Sequence, residues 1–221
     1  MQSADLVLVD KFVPAGVLAL VPRRTDLFIA KKFPDNADAA HEELLSLGLA
    51  ALRDSKSVVR LKQGDPYIYG RGAEEFEFFS AAGFRSVVVP GLSSALVAPT
   101  FTEIPATHRG VADQLLLCTG TGRRGGSAGL PAYVQSRTTV FLMALHRLEP
   151  LVAELREKGY PAELPCAVIE RASCPDQRVI RTTLAAVVSA VAEEGSRPPG
   201  LLVTGWACNI LHAPTKTNAG L

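Results

Sequence analysis

Ser57–Phe79 reads SVVRLKQGDPYIYGRGAEEFEFF. A β-branched run ends among cations, a Gly-Asp-Pro turn and two tyrosines follow, and a glycine pair around Arg71 opens an acidic, aromatic stretch. Val58 and Val59 favour an extended strand, and the segment from Gly72 has the spacing of an amphipathic helix. Strand, turn and helix in that order make half of a crossover unit, which belongs in a parallel sheet covered by helices. In open sheets of that kind ligands bind beyond the carboxyl ends of the strands, where Gly64-Asp65-Pro66 falls. Gly64 permits close backbone approach, Asp65 offers a carboxylate to a hydroxyl or ammonium, and Pro66 stiffens the turn. The same residues also suit an ordinary turn followed by an ordinary helix start.

The rhythm extends in both directions. Strands are expected at DLVLVD (5–10) and LFIAKK (27–32), then a long helix through DAAHEELLSLGLAALRD (38–54). After the central unit come a strand at FRSVVVP (84–90) and a helix from SSALVAPTF (93–101). EIPATHRG (103–110) interrupts the alternation and reads as a linker. A second set of strands and helices then runs from QLLLCTG (114–120) to GLLVTGW (200–206), and the polar tail 212–221 is expected to be loose. The class is α/β, with an amino-terminal domain over 1–112 and a carboxy-terminal domain over 113–221. The first strand begins at about Ala4, so an earlier strand and crossover helix are expected to be missing.

Composition narrows the function. With 23 Lys+Arg against 22 Asp+Glu, an anionic partner must be attracted locally, and the basic pairs lack the interleaved aromatics of a nucleic-acid surface. No metal site is expected, since the four cysteines form no CxxC pair and have no histidine at ligand spacing. No signal peptide or bilayer-length apolar run is present, which points to the cytosol. Gly120-Thr121-Gly122-Arg123-Arg124-Gly125 spells a dinucleotide fingerprint, but the following Gly-Ser-Ala-Gly-Leu-Pro cannot open the helix that motif requires. A mobile glycine-rich loop is expected instead. Pro90-Gly91 with Ser93 and Ser94 marks another strand end, where hydroxyls and free amides either hold a carboxylate or simply cap a helix.

ADLVLVDKFV, VVRLKQGDPYIYGRGAEE, VVPGLSSALVAP and IPATHRG, in this order and continuing through TTVFLMAL, AVIERAS and PGLLVTG, resemble the tetrapyrrole methylase family. The likeness reaches as far as about Trp206 and is strongest to the fungal form used in sirohaem synthesis. It implies two α/β domains, a parallel sheet in the first and a mixed sheet in the second, clasping S-adenosylmethionine, with S-adenosylhomocysteine as product. It implies a homodimer that methylates two ring carbons of uroporphyrinogen III, giving precorrin-2 by way of precorrin-1, with no metal, membrane or nucleic-acid partner. Carried over by position, cofactor contacts fall on Gln63, Gly64, Asp65, Ile68, Ser93, Ser94, Met143, Ala172 and Gly200. Asp10 matches a proton acceptor and Lys31 a proton donor, while Asp10 is also a plausible cap for the segment near Pro14. Arg71, His108 and Arg109 suit the substrate's carboxylates, whereas Arg60 and Lys62 divide between that task and a solvated surface.

The sequence departs from the family in three places. The family's opening strand with its glycine-proline-rich loop is expected to be missing, Gln63-Gly64 stands where bacterial relatives have two glycines, and Glu170-Arg171-Ala172 stands where many have a glycine after the acidic residue. Two other readings accompany the first: a sister methylase with a different substrate, and a truncated form that binds a tetrapyrrole or a protein without turnover.

Overall fold

The structure is a computed structural model and describes residues 1–30, 37–122 and 125–212. The chain divides into two compact units, Met1–Ser93 and Ser94–Leu221, so the segment 94–112 belongs with the carboxy-terminal unit. The expected loose tail lies outside the described residues from 213 onward.

The first unit carries β1 (Leu6–Val9), α1 (Ala15–Leu18), β2 (Asp26–Ile29), α2 (Ala37–Arg53), β3 (Val58–Leu61) and α3 (Gly72–Ala81). The strands are parallel in the order β2-β1-β3. Val7, Leu8 and Val9 are wholly buried, as expected of a central strand covered on both faces. Leu44 of α2 packs on Leu8, while Val13 and Val17 close the other side over Val7 and Val9.

The expected strand at 84–90 does not form, because no strand pairs with it among the described residues. Residues 85–93 run without ladder bonds, and Val87 and Val89 are 83% and 75% exposed. A β-branched run prefers an extended backbone, yet a strand also needs a neighbour to take its N–H and C=O groups.

The second unit holds α4 (Ser94–Phe101), β4 (Gln114–Thr119), β5 (Arg137–Leu142), α5 (Leu148–Glu157), β6 (Pro165–Glu170), β7 (Arg178–Thr183), α6 (Val187–Glu194) and β8 (Gly200–Thr204). Its five-stranded sheet has the order β4-β5-β8-β6-β7, with β4 and β5 parallel and the other pairings antiparallel. Alternate residues supply two cores. Phe141, Val168 and Leu202 face α5 and α6 with Leu151, Leu155 and Val187. Val140, Ala167, Ile169, Leu201 and Val203 face Ala95 and Ala98 of α4. This α/β architecture, parallel in one unit and mixed in the other, is the expected one.

Candidate functional site

The turn leaving β3 is wound around one carbonyl. Gly72 donates its N–H to Pro66 O at 3.0 Å. A methyl group on Gly70 or Gly72 would lie 2.6 or 2.5 Å from that oxygen, so the two glycines are required by packing. Between them Arg71 takes the left-handed conformation, φ 58°, at the cap position of α3.

Asp65 ties this turn to the segment before α4. Its Oδ1 accepts from Tyr67 N at 2.8 Å and its Oδ2 from Gly91 N at 3.3 Å. A β-carbon on Gly91 would lie 2.1 Å from Gly64 O, far inside contact distance. One on Gly64 would meet Leu92 O at 3.8 Å and Ser93 Cα at 3.9 Å. The structure therefore brings Gly64, Asp65, Gly91 and buried Ser93 into one cluster, with Gln63 and Ile68 exposed on the same loop. Ser94 opens α4, across the boundary between the units.

Behind that cluster lies a nearly dry group of charges. Asp10 follows β1 and Lys62 follows β3, and the pairing of Val9 with Leu61 sets them opposite each other. Arg60 Nη2 donates to Asp10 Oδ1 at 2.6 Å, and Lys62 Nζ lies 3.7 Å from Asp10 Oδ2. Lys62 also donates to Glu75 Oε1 at 2.5 Å, with Arg60 Nε 3.3 Å from Glu75 Oε2. Arg60 and Lys62 are thus neither open to a substrate nor solvated. Their side chains are 12% and 8% exposed and face two carboxylates, as buried charges must. His41 of α2 approaches Glu75 at 3.7 Å, and burial together with the nearby Arg71 charge pushes its pKa below the usual range. Lys31 lies outside the described residues.

Arg71 bonds Glu74 Oε2 through Nε and Nη2 at 2.9 and 2.8 Å and Asp38 Oδ1 at 2.9 Å. The hydrogen bond to Glu74 raises the Arg71 pKa and lowers that of Glu74. His108 and Arg109 belong to the second unit, in an exposed turn closed by reciprocal bonds between His108 and Ala112 at 2.8 Å.

The remaining candidates line one end of the five-stranded sheet. Leu142 pairs with Leu201 and Leu201 with Ile169, so Met143, Gly200 and Glu170 follow at the same edge, with Ala172 just beyond. Met143 is left-handed at φ 54° and half exposed. Arg171 is likewise left-handed at φ 50° and donates its N–H to Pro199 O at 2.9 Å. A methyl group on Gly200 would meet Leu145 Cδ1 at 2.6 Å and Glu170 Cγ at 2.9 Å.

Beside Met143, the described part of the glycine-rich loop is tied down. Thr121 Oγ1 donates to Met143 O at 2.7 Å, and having one hydrogen it accepts from His146 Nε2 at 3.0 Å. Arg147 donates to Gly126 O at 2.9 Å, and no α-helix follows Gly122 among the described residues before Leu148.

Glu75 and His41 escaped the sequence reading, although the signal was present. Gly72, Glu75 and Phe79 share one helical face, as do His41, Leu44 and Gly48, so period alone turns both polar residues inward. Among the described residues no group of three His, Cys, Asp or Glu side chains could hold a metal ion, and no helix is long and apolar enough to cross a membrane.

Residues 1–188 match the family model described as Tetrapyrrole (Corrin/Porphyrin) Methylases. Two yeast proteins are similar over 96% of this chain. One is a probable uroporphyrinogen-III C-methyltransferase of Schizosaccharomyces pombe, 57% identical with 43% of its length covered. The other is the uroporphyrinogen-III C-methyltransferase of Saccharomyces cerevisiae, 56% identical with 36% covered. The chain therefore spans less than half the length of the curated yeast relatives it matches. Among solved structures, a uroporphyrin-III C-methyl transferase from Thermus thermophilus complexed with S-adenyl homocysteine is 34% identical. Its TM-score is 0.80, with 94% of this chain and 88% of that one covered.

Proposed function

Since the chain belongs to the tetrapyrrole methylase family, we propose that it transfers methyl groups from S-adenosylmethionine to ring carbons of uroporphyrinogen III, giving precorrin-2 in sirohaem synthesis. The observation that carries this reading is the 57% and 56% identity to the two yeast enzymes over 96% of the chain. The residues fit the cofactor. Gly91 lets the second turn pack against the Gly64 backbone, Gly64 itself leaves a stretch of chain without a β-carbon, Asp65 supplies a carboxylate, and Ser93 adds a hydroxyl. That set suits a ligand with ribose hydroxyls, an ammonium and a flat ring.

In this proposal the cofactor-binding residues are Gln63, Gly64, Asp65, Ile68, Ser93, Ser94, Met143, Ala172 and Gly200. When bound, the cofactor supplies an already activated methyl group. The protein's work is to orient the reactants and exclude water. Asp10, at the carboxyl end of β1, accepts the proton released as the methylated macrocycle rearranges, and Lys31 donates one. Arg71, His108 and Arg109 bind the substrate's acetate and propionate arms. The active form is a homodimer in the cytosol.

The test incubates the purified chain with S-adenosylmethionine carrying a labelled methyl group and uroporphyrinogen III. Label entering the tetrapyrrole supports the proposal. Cofactor binding without label transfer points to a sister methylase, and absence of cofactor binding refutes the proposal.

A further inference from the structure

The four-charge group at the ends of β1 and β3 holds one carboxylate that the proposed reaction does not use. Glu75 is 5% exposed on α3, and its two oxygens face Lys62 at 2.5 Å and Arg60 at 3.3 Å. The same two cations face Asp10, at 3.7 and 2.6 Å. Arg60 is further fixed by Nη1 donating to Leu61 O at 3.1 Å and Leu8 O at 3.3 Å. Each cation thus bridges two carboxylates, so that among the described residues two positive charges face two negative ones. His41, the remaining titratable contact of Glu75, is held toward neutrality by burial and has no hydrogen-bond partner at Nε2 among the described residues.

We propose that Glu75 is a positioning residue for Asp10: by drawing Arg60 and Lys62 toward α3 it sets both the orientation of the Asp10 carboxylate and how strongly those cations hold it. This rests on the reading of Asp10 as the proton acceptor. Were Glu75 absent, both cations would turn wholly to Asp10 and bind it more tightly, and a carboxylate so held is a weaker base. Shared between two carboxylates, the cations instead hold Asp10 less tightly. Among the described residues the charged groups facing Asp10 include Arg60 of β3 and Lys62 just beyond it, with Glu75 from α3 behind them and His41 from α2 and Arg71 behind that.

The test uses Glu75→Gln in the full chain with two readouts. In carbon-detected NMR titration, the Asp10 carboxyl of the variant titrates at lower pH than in the parent. In methyl transfer, kcat falls roughly tenfold or more while KM for both substrates stays within about threefold, since base strength and aim are lost but binding is not. An Asp10 titration that does not move overturns the proposal, whatever happens to kcat, because a merely structural Glu75 would give that result. Should Glu75→Gln fail to fold, Glu75→Asp decides, as it keeps the charge and retracts it by one methylene. An intermediate displacement and an intermediate loss of kcat support the proposal, and parental values overturn it. The titration needs no turnover, so a parent that transfers no methyl group to uroporphyrinogen III refutes the proposed reaction while the displacement still decides the coupling.

Discussion

Gly91→Ala probes the junction of the two turns directly. The added carbon would lie 2.1 Å from Gly64 O, 2.9 Å from Gly64 C and 3.3 Å from Asp65 Cα. All three atoms are backbone or backbone-linked, so no side-chain rotation relieves the contact. Ordinary contact begins near 3.4 Å, so the turns must separate by a little over 1 Å. That movement also stretches the bond from Gly91 N to Asp65 Oδ2, already 3.3 Å long. A misplacement of about 1 Å is worth up to about a hundredfold in function, or roughly 2.7 kcal/mol. Calorimetric titration with S-adenosylhomocysteine should show Kd raised at least tenfold, with a modest fall in Tm. The control is Gly16→Ala in α1, where nothing lies within 4 Å of the new carbon. It should leave Kd unchanged and stabilise by about 0.5–1 kcal/mol. Parental affinity in Gly91→Ala would refute the claim that the junction holds the cofactor.

Three further outcomes follow from buried groups. Glu170 is wholly buried, bonds Arg178 and accepts from Arg197 N at 2.6 Å, so Glu170→Ala should cost about 3–5 kcal/mol in denaturant unfolding by stranding Arg178. Burial pushes the Cys208 thiol up to about 12 and Cys166 higher still, so in the folded protein neither should react with iodoacetamide at pH 8, and both should react once it is unfolded. His41 has its folded pKa below the ordinary 6.5, so the unfolded chain binds the extra proton first, and stability should fall as pH drops below about 6.5. In His41→Gln that part of the slope, read from Tm between pH 7 and 5, should vanish.

The α/β rhythm was legible because period and β-branching are local, and all but one expected strand formed. The exception, 84–90, shows the limit: Val87, Val88 and Val89 announce an extended backbone, but whether a neighbour meets it is a tertiary matter. Gly64, Asp65 and Ser93 could be singled out as turn and cap residues, yet Gly91 looked like a strand end until its backbone was found against Gly64. Arg60 and Lys62 misled for a related reason. Cations at a strand end look open to solvent, and their partner Asp10 is 50 residues from Arg60, visible only once Val9 and Leu61 are paired. The glycine pair around Arg71 had no visible partner in the sequence, and the Pro66 carbonyl accounts for both.

The account depends on the turns at 63–65 and 91–93 acting as one cradle for a sulfonium donor. Amide chemical shifts recorded during titration with S-adenosylhomocysteine test this most directly. The account predicts that Gly64, Asp65, Gly91 and Ser93 shift together and saturate at one Kd. Binding that leaves these amides in place, or no binding, would contradict it.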